Sequence, residues 1–169
     1  HEKVGEATAR HLVEKGYKHF SVVSISDPRG LRRCHSLIAE LKRLGVGEVP
    51  MQVLAPPATL EVGREGLQRL LDQSTRPDIV VCSSDTVAQG VLAEAASRGL
   101  KVPTDLAVMG FGDLSSAAHV YPALSTVSVD GKNVDEWSNG KLVDGNLLYR
   151  GTSSKKTFGV GKLHLEFRT

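Results

Sequence analysis

The side chains able to do chemistry in this sequence are few, and they recur at one kind of place. Each set lies just after an apolar run and just before a helix-like pattern. Asp27, Arg29 and Arg33 follow Phe20-Ser21-Val22-Val23-Ser24-Ile25. Ser83, Ser84 and Asp85 follow Ile79-Val80-Val81-Cys82. Asp113 follows Leu106-Ala107-Val108-Met109 through Gly110-Phe111-Gly112. An arginine fork at such a point can grip a carboxylate or vicinal hydroxyls. A carboxylate can accept two sugar hydroxyls. Each residue also has a plain structural reading. Arg33 could be a solvated helix residue, Asp85 could cap its helix with Ser84 as the rival cap, and Asp113 could cap the helix after it or line a cleft. Arg33 together with Asp85 suits a hydroxylated ligand bearing a carboxylate or phosphate.

Signatures of turnover are thin, and no catalytic residue is assigned. G-x-S-x-G is absent. Gly159-Val160-Gly161-Lys162 lacks the first glycine and the hydroxyl of a phosphate loop, and no G-x-G-x-x-G follows the first strand. His1, His11, His19, His35, His119 and His164 show no H-x-x-x-H spacing, so neither a metal nor a cofactor is expected. Asp27 and Asp85 make a carboxylate pair only if the fold brings them together.

These residues must be carried by the elements around them. Val4, Ala7, Leu12 and Val13 give a narrow helical stripe over 2–15, interrupted by Thr8 and His11 and stopped at Gly16. A β-branched strand over Phe20 to Ile25 follows. Leu31, Cys34, Leu37, Ile38, Leu41 and Leu44 recur at steps of three and four, an amphipathic helix ended by Gly45 and Gly47. The pairing then repeats: strand at 51–54, helix lined by Leu60, Leu67, Leu70 and Leu71, strand at 79–82, helix lined by Val87, Ala88, Val91, Leu92 and Ala95, strand at 106–109. Continuous apolar strands alternating with helices predict a doubly wound parallel α/β sheet covered on both faces. The pattern degrades after Pro122. A strand fits Leu124 to Val129, 132–150 reads as weakly helical around Gly140 and Gly145, 151–157 as a polar loop, and Phe158 to Phe167 as one or two short strands.

Composition excludes several classes. The chain has 169 residues, 40% apolar and 24% charged, ordinary for a globular domain. Its formal charge of +2 is too small for a phosphate-tracking nucleic-acid surface. No apolar stretch approaches the roughly 18 residues of a membrane span. Cys34 and Cys82 sit inside apolar patterns and read as buried reduced thiols, which agrees with a cytoplasmic location.

The residues resemble one family. Val81-Cys82-Ser83-Ser84-Asp85-Thr86-Val87-Ala88-Gln89-Gly90 is similar to the strand–Asp–helix segment of lactose/galactose-repressor transcription regulators. Arg98 to Asp113 resembles the segment after it, and Tyr121-Pro122-Ala123-Leu124-Ser125-Thr126-Val127 the next strand. Val4-Gly5, His11-Leu12-Val13-Glu14-Lys15-Gly16 and Arg33, four residues before Leu37, keep the same order. The joint order holds over 1–131, and Gly110 to Asp113 leans toward the gluconate-repressor-like branch.

The resemblance implies a periplasmic-binding-protein-like (Rossmann-like) fold in which two lobes close on a small effector. It also implies a cytoplasmic homodimer that binds operator DNA through a helix-turn-helix head outside this chain, with the effector altering DNA affinity. Residue by residue, Arg33 matches the family's ligand arginine and Asp85 its ligand aspartate. Asp27 and Arg29 fall in a loop that adds contacts, and Asp113 joins them as an effector-binding candidate. Ala117, Ala118, His119, Val120, Tyr121 and Pro122 resemble a dimer-contact segment.

Two local departures matter. The loop Ala55-Pro56-Pro57-Ala58-Thr59 lacks the family's stacking aromatic, which disfavours a purine. Ser36-Leu37 replaces a glycine–aromatic pair. The resemblance also places His1 after the head and most of the first lobe. The expected division is 1–129 as C-terminal lobe, 130–157 as a crossover that packs on the other lobe and is rearranged or swapped without it, and 158–169 as a terminal strand region. The expected function is sensing of a sugar or sugar acid, with no enzymatic activity and no membrane partner. The alternatives are a transporter's periplasmic sugar-binding protein or a small α/β sugar enzyme, since fold alone does not fix function.

Overall fold

The computed structural model describes residues 2–73, 76–112, 125–128, 147–150, 156–158 and 163–165. Among these described residues four helices and eight strands follow in order: α1 (Glu2–Glu14), β1 (Phe20–Ile25), α2 (Pro28–Arg43), β2 (Met51–Leu54), α3 (Leu60–Gln73), β3 (Ile79–Cys82), α4 (Asp85–Ser97), β4 (Ala107–Phe111), β5 (Ser125–Ser128), β6 (Leu147–Arg150), β7 (Lys156–Phe158) and β8 (Leu163–Leu165). The sheet order is β2-β1-β3-β4-β5-β6-β8-β7, and the first five strands are parallel. The predicted doubly wound α/β sheet is therefore present. The chain leaves β1 toward β2 and returns to β3 on the other side of β1. That reversal makes the C-terminal edge between β1 and β3 the crevice where such sheets take ligands.

Strand side chains alternate between two cores because the pleat has a period of two. Phe20, Val22, Ile79, Val81, Met109 and Phe111 pack with Ala9 and Leu12 of α1 and Cys34, Leu37 and Leu41 of α2. Val23, Ile25, Val80, Cys82 and Val108 pack with Leu67 and Leu70 of α3 and Val87, Val91 and Ala95 of α4. Helices α1 and α2 thus cover one face, and α3 and α4 the other. Both cysteines are buried and free, and burial pushes the Cys34 thiol up to about 11. No helix among the described residues is long and apolar enough to cross a membrane.

Three sequence expectations are corrected. Lys156 and Thr157, read as the end of a polar loop, open β7. Thr8 and His11 do not interrupt the buried stripe of α1; both are fully buried within it. Thr8 is accommodated because its hydroxyl donates to the Val4 carbonyl at 2.8 Å, one turn back. Residues 147–150, read as part of a weak helix, form β6. The strand pairs antiparallel with β5, setting Val127 opposite Tyr149, and Leu147-Leu148-Tyr149 suits a sheet ladder better than a helix flanked by glycines. Residues 132–146 lie outside the described residues.

Each helix pair is joined by a buried carboxylate. Glu40 of α2 accepts from Arg10 of α1 at 3.0 Å and from Arg43 at 2.5 and 3.0 Å. Glu94 of α4 accepts from Arg64 of α3 at 3.2 Å, from Gln68 at 3.1 Å and from Arg98 at 2.8 Å. The bonds from Arg43 and Arg10 outweigh burial and draw the Glu40 carboxyl down to about 2 from 4.5. A depressed folded-state value makes this stabilisation complete above pH 4.5 and lost as pH falls toward 2. Because both arginines are partly exposed, Glu40→Gln is expected to lower stability at neutral pH by about 1 kcal/mol. The variant should also lose less stability than the parent between pH 4.5 and 2. Urea unfolding at pH 7, 4 and 3 checks this; parallel acid limbs would refute it.

Candidate functional site

The site grows from the loops at the C-terminal edge of β1, β3 and β4. Asp27 ends the first loop and caps α2: its side chain accepts from the Gly30 amide at 3.0 Å, and Pro28 opens the helix. Asp27 is half-buried and serves as the cap, and Arg29 in the first turn is exposed. The next turn brings Arg33 back over the edge of the sheet. Its Nη2 donates to the Ser83 carbonyl at 2.8 Å, and its guanidinium carbon lies 4.5 Å from the centre of the Phe111 ring. Burial lowers the Arg33 pKa, yet an arginine stays charged.

Ser83 is the hub between strands. Its amide donates to Val23 O at 3.0 Å, and its hydroxyl accepts from the Ile25 amide at 3.4 Å. Gly30 makes room for it, since a Cβ there would come within 3.1 Å of Ser83 Cβ and 2.3 Å of Asp27 Oδ1. Ser84 then caps α4, accepting from the Val87 amide at 3.3 Å. The sequence left the cap open between Ser84 and Asp85; the serine takes it.

Asp85 is therefore released from capping. It is fully buried at the start of α4, and Thr126 of β5 donates to its Oδ1 at 2.5 Å. Gly110 is the residue paired with Thr126 in the β4–β5 ladder. A Cβ on Gly110 would meet Asp85 Oδ1 at 2.2 Å, so the carboxylate rests directly on the glycine backbone.

Adjacent strand residues point to opposite faces. Arg33 meets Phe111 on the α1–α2 face, and Asp85 meets Gly110 and Thr126 on the α3–α4 face. The two charged groups thus approach one strand end from the two sides, joined through Ser83 and Ser84. Arg33 is half-buried there, whereas Asp85 is fully buried with its Oδ1 held by Thr126, so the edge as it stands presents the cation and keeps the anion beneath it. Ser36, standing in place of the family's glycine, lies against α1: a Cβ on Gly5 would come too close to its hydroxyl, which donates to Arg33 O at 3.0 Å.

Three contributors escaped the sequence reading of the site: Phe111, Thr126 and Gly110. The sequence pattern ends the strand at Met109 and leaves Gly110 and Phe111 only as the link to Asp113, whereas β4 runs on through Phe111, and Thr126 belongs to a strand whose partners are fixed only by sheet order. Asp113 and the segment Ala117, Ala118, His119, Val120, Tyr121 and Pro122 lie outside the described residues. No group of three metal-ligating side chains occurs among the described residues.

Residues 9–134 match the family described as periplasmic binding protein-like domain. This chain belongs to that family. Its relatives are LacI-family regulators. The HTH-type transcriptional repressor CytR of Escherichia coli K12 is 29% identical over 85% of this chain and 47% of its own length. The HTH-type transcriptional regulator GntR of Pseudomonas aeruginosa is 34% identical over 74% of this chain and 37% of its own. Among solved structures, the transcription regulator GntR from Chromobacterium violaceum superposes with a TM-score of 0.70 at 30% identity, covering 75% of this chain and 48% of that one. A PurR family transcriptional regulator from Vibrio parahaemolyticus gives 0.69 at 30%, covering 76% and 50%. The periplasmic-binding-protein-like chain spans about half or less of the curated relatives it matches.

Proposed function

We propose that this domain is the effector-sensing lobe of a bacterial transcription regulator and that its ligand is a sugar or sugar acid held at the C-terminal edge of the sheet, over the ends of β3 and β4, by Arg33 and Asp85. The observation that carries the reading is the arrival of these two groups at one strand end from opposite faces of the sheet. The similarity to LacI-family repressors supports it and favours a regulator over a transporter's binding protein or a small sugar enzyme. Asp27, Arg29 and Asp113 would add contacts around the ligand. In the whole regulator 130–157, of which 147–150 pairs here with β5 and 156–158 with β8, would instead cross to a second lobe, and 158–169 would form a terminal strand region. Operator DNA would be bound by a helix-turn-helix head beyond this lobe, in a cytoplasmic homodimer joined in part through 117–122.

The effector would act by favouring one lobe arrangement over another, because a ligand shifts an equilibrium only by its differential affinity for the two states. The Ala55-Pro56-Pro57-Ala58-Thr59 loop offers no aromatic platform, which argues for a hydroxylated acid over a purine.

Thermal-shift screening of the whole regulator against sugars, sugar acids, phosphosugars and purines tests the reading. A dose-dependent rise of roughly a few degrees with sugar acids is expected. In Asp85→Asn the rise should shrink, while the melting temperature without added ligand changes little, because the amide oxygen still accepts from Thr126. A rise produced only by purines, or a rise unchanged in Asp85→Asn, would remove the assignment.

A further inference from the structure

We infer that Phe111 is a positioning residue for Arg33: its ring is the floor that fixes the guanidinium plane at the C-terminal edge of the sheet. Arg33 needs such a floor. Its head group is half-buried, and among the described residues its one hydrogen bond is to a neutral carbonyl, Ser83 O, through Nη2. Nε is buried without a hydrogen-bond partner. Among the described residues no carboxylate pairs with it, and Asp27 acts on it only from a longer range. A single hydrogen bond leaves the fork free to rotate about its donor. The ring, with its centre 4.5 Å from the guanidinium carbon, supplies a second restraint and a quadrupole that partly replaces lost hydration.

The ring is itself immobilised. Phe111 is almost fully buried in the core shared with Cys34 and Leu37, one and four residues along α2 from Arg33. The contact therefore spans β4 and α2. It also differs from the ligand stacking that an aromatic in the 55–59 loop would provide, because the guanidinium lies over the Phe111 ring and the ring acts on a ligand only through the arginine.

The test uses the whole regulator and has two arms. In the first, phenylglyoxal labels arginines, and peptide mass spectrometry compares Arg33 with Arg29 and Arg32, which are exposed on the same helix. Arg33 is expected to label more slowly than both, and Phe111→Leu should raise its relative rate about fivefold. Phe111→Met, whose unbranched side chain adapts better to the vacated space, should do the same if the leucine variant folds poorly, and Phe111→Tyr should restore slow labelling. An Arg33 rate unchanged relative to Arg29 in folded Phe111→Leu or Phe111→Met overturns the inference.

The second arm rests on the ligand reading above and uses gluconate as the probe. Phe111→Leu should weaken gluconate binding about fivefold, and the same substitution in an Arg33→Ala background should have no further effect. Additive losses mean that Phe111 does not act through Arg33 and overturn the inference. If gluconate fails to bind the parent, or binds Arg33→Ala equally well, the ligand reading falls and the labelling arm alone decides the positioning role.

Discussion

Arg33→Ala is expected to weaken sugar-acid binding by the whole regulator about 100-fold, the loss that follows from removing two charge-assisted hydrogen bonds to a carboxylate. The guanidinium is placed for this by α2, whose N-terminus is fixed by the Asp27 cap and by the close approach of Gly30 to Ser83. Arg33→Lys should recover little of the loss. An ammonium can replace the charge but has neither the planar fork nor the face that lies over Phe111. The effect on folding should be smaller, about 1 kcal/mol, since one neutral hydrogen bond and one ring contact disappear. Isothermal titration with the sugar acid that gives the largest thermal shift, alongside urea unfolding, separates the two effects. Equal affinity in parent and Arg33→Ala would make the arginine a structural residue that ties α2 to the β3–α4 turn.

Gly90→Ala is expected to destabilise the domain by about 3 kcal/mol, and Gly63→Ala by a similar amount, because an added methyl at either position meets backbone. A Cβ on Gly90 would lie 2.1 Å from the Leu60 carbonyl oxygen and 2.8 Å from Gly63 Cα, and a Cβ on Gly63 would lie 2.0 Å from the Val87 carbonyl oxygen. Helices α3 and α4 touch through these two glycines, and their spacing sets where Asp85, at the head of α4, meets Gly110 and Thr126. A side chain could rotate away from such a clash; two helix backbones must separate. At roughly 2–4 °C per kcal/mol, the melting temperature should fall by about 8 °C. Gly47→Ala is the control. Its added methyl meets nothing within 4 Å, so it should be neutral or slightly stabilising. Equal melting temperatures for Gly90→Ala and Gly47→Ala would mean that α3 and α4 tolerate a wider spacing.

The order of elements from α1 to β4 was legible in the sequence because helical and strand periodicities are local. Leu31, Cys34, Leu37, Ile38, Leu41 and Leu44 can share one face only on a helix, and Ile79 to Cys82 is too short and too branched to be anything but a buried strand. Arg33 and Asp85 could be singled out for the same reason: both follow strand ends and belong to segments whose wording resembles a known family. Glu40 and Glu94 show the limit of local reading. The helices that carry them are legible through their apolar residues alone, yet both carboxylates are buried, because arginines on neighbouring helices meet them there.

Tertiary structure alone decided the sheet order, the capture of Leu147–Arg150 by β5, and the release of Asp85 from capping. It also decided which residues serve the site from a distance in the chain. Thr126 lies 41 residues from Asp85, and Phe111 reaches Arg33 across the β4–α2 packing. Sequence determined which residues could be charged, apolar or flexible and where each element would form. It could not determine which faces would meet, because strand pairing and helix packing are fixed by contacts between segments whose separation along the chain carries no periodic signal.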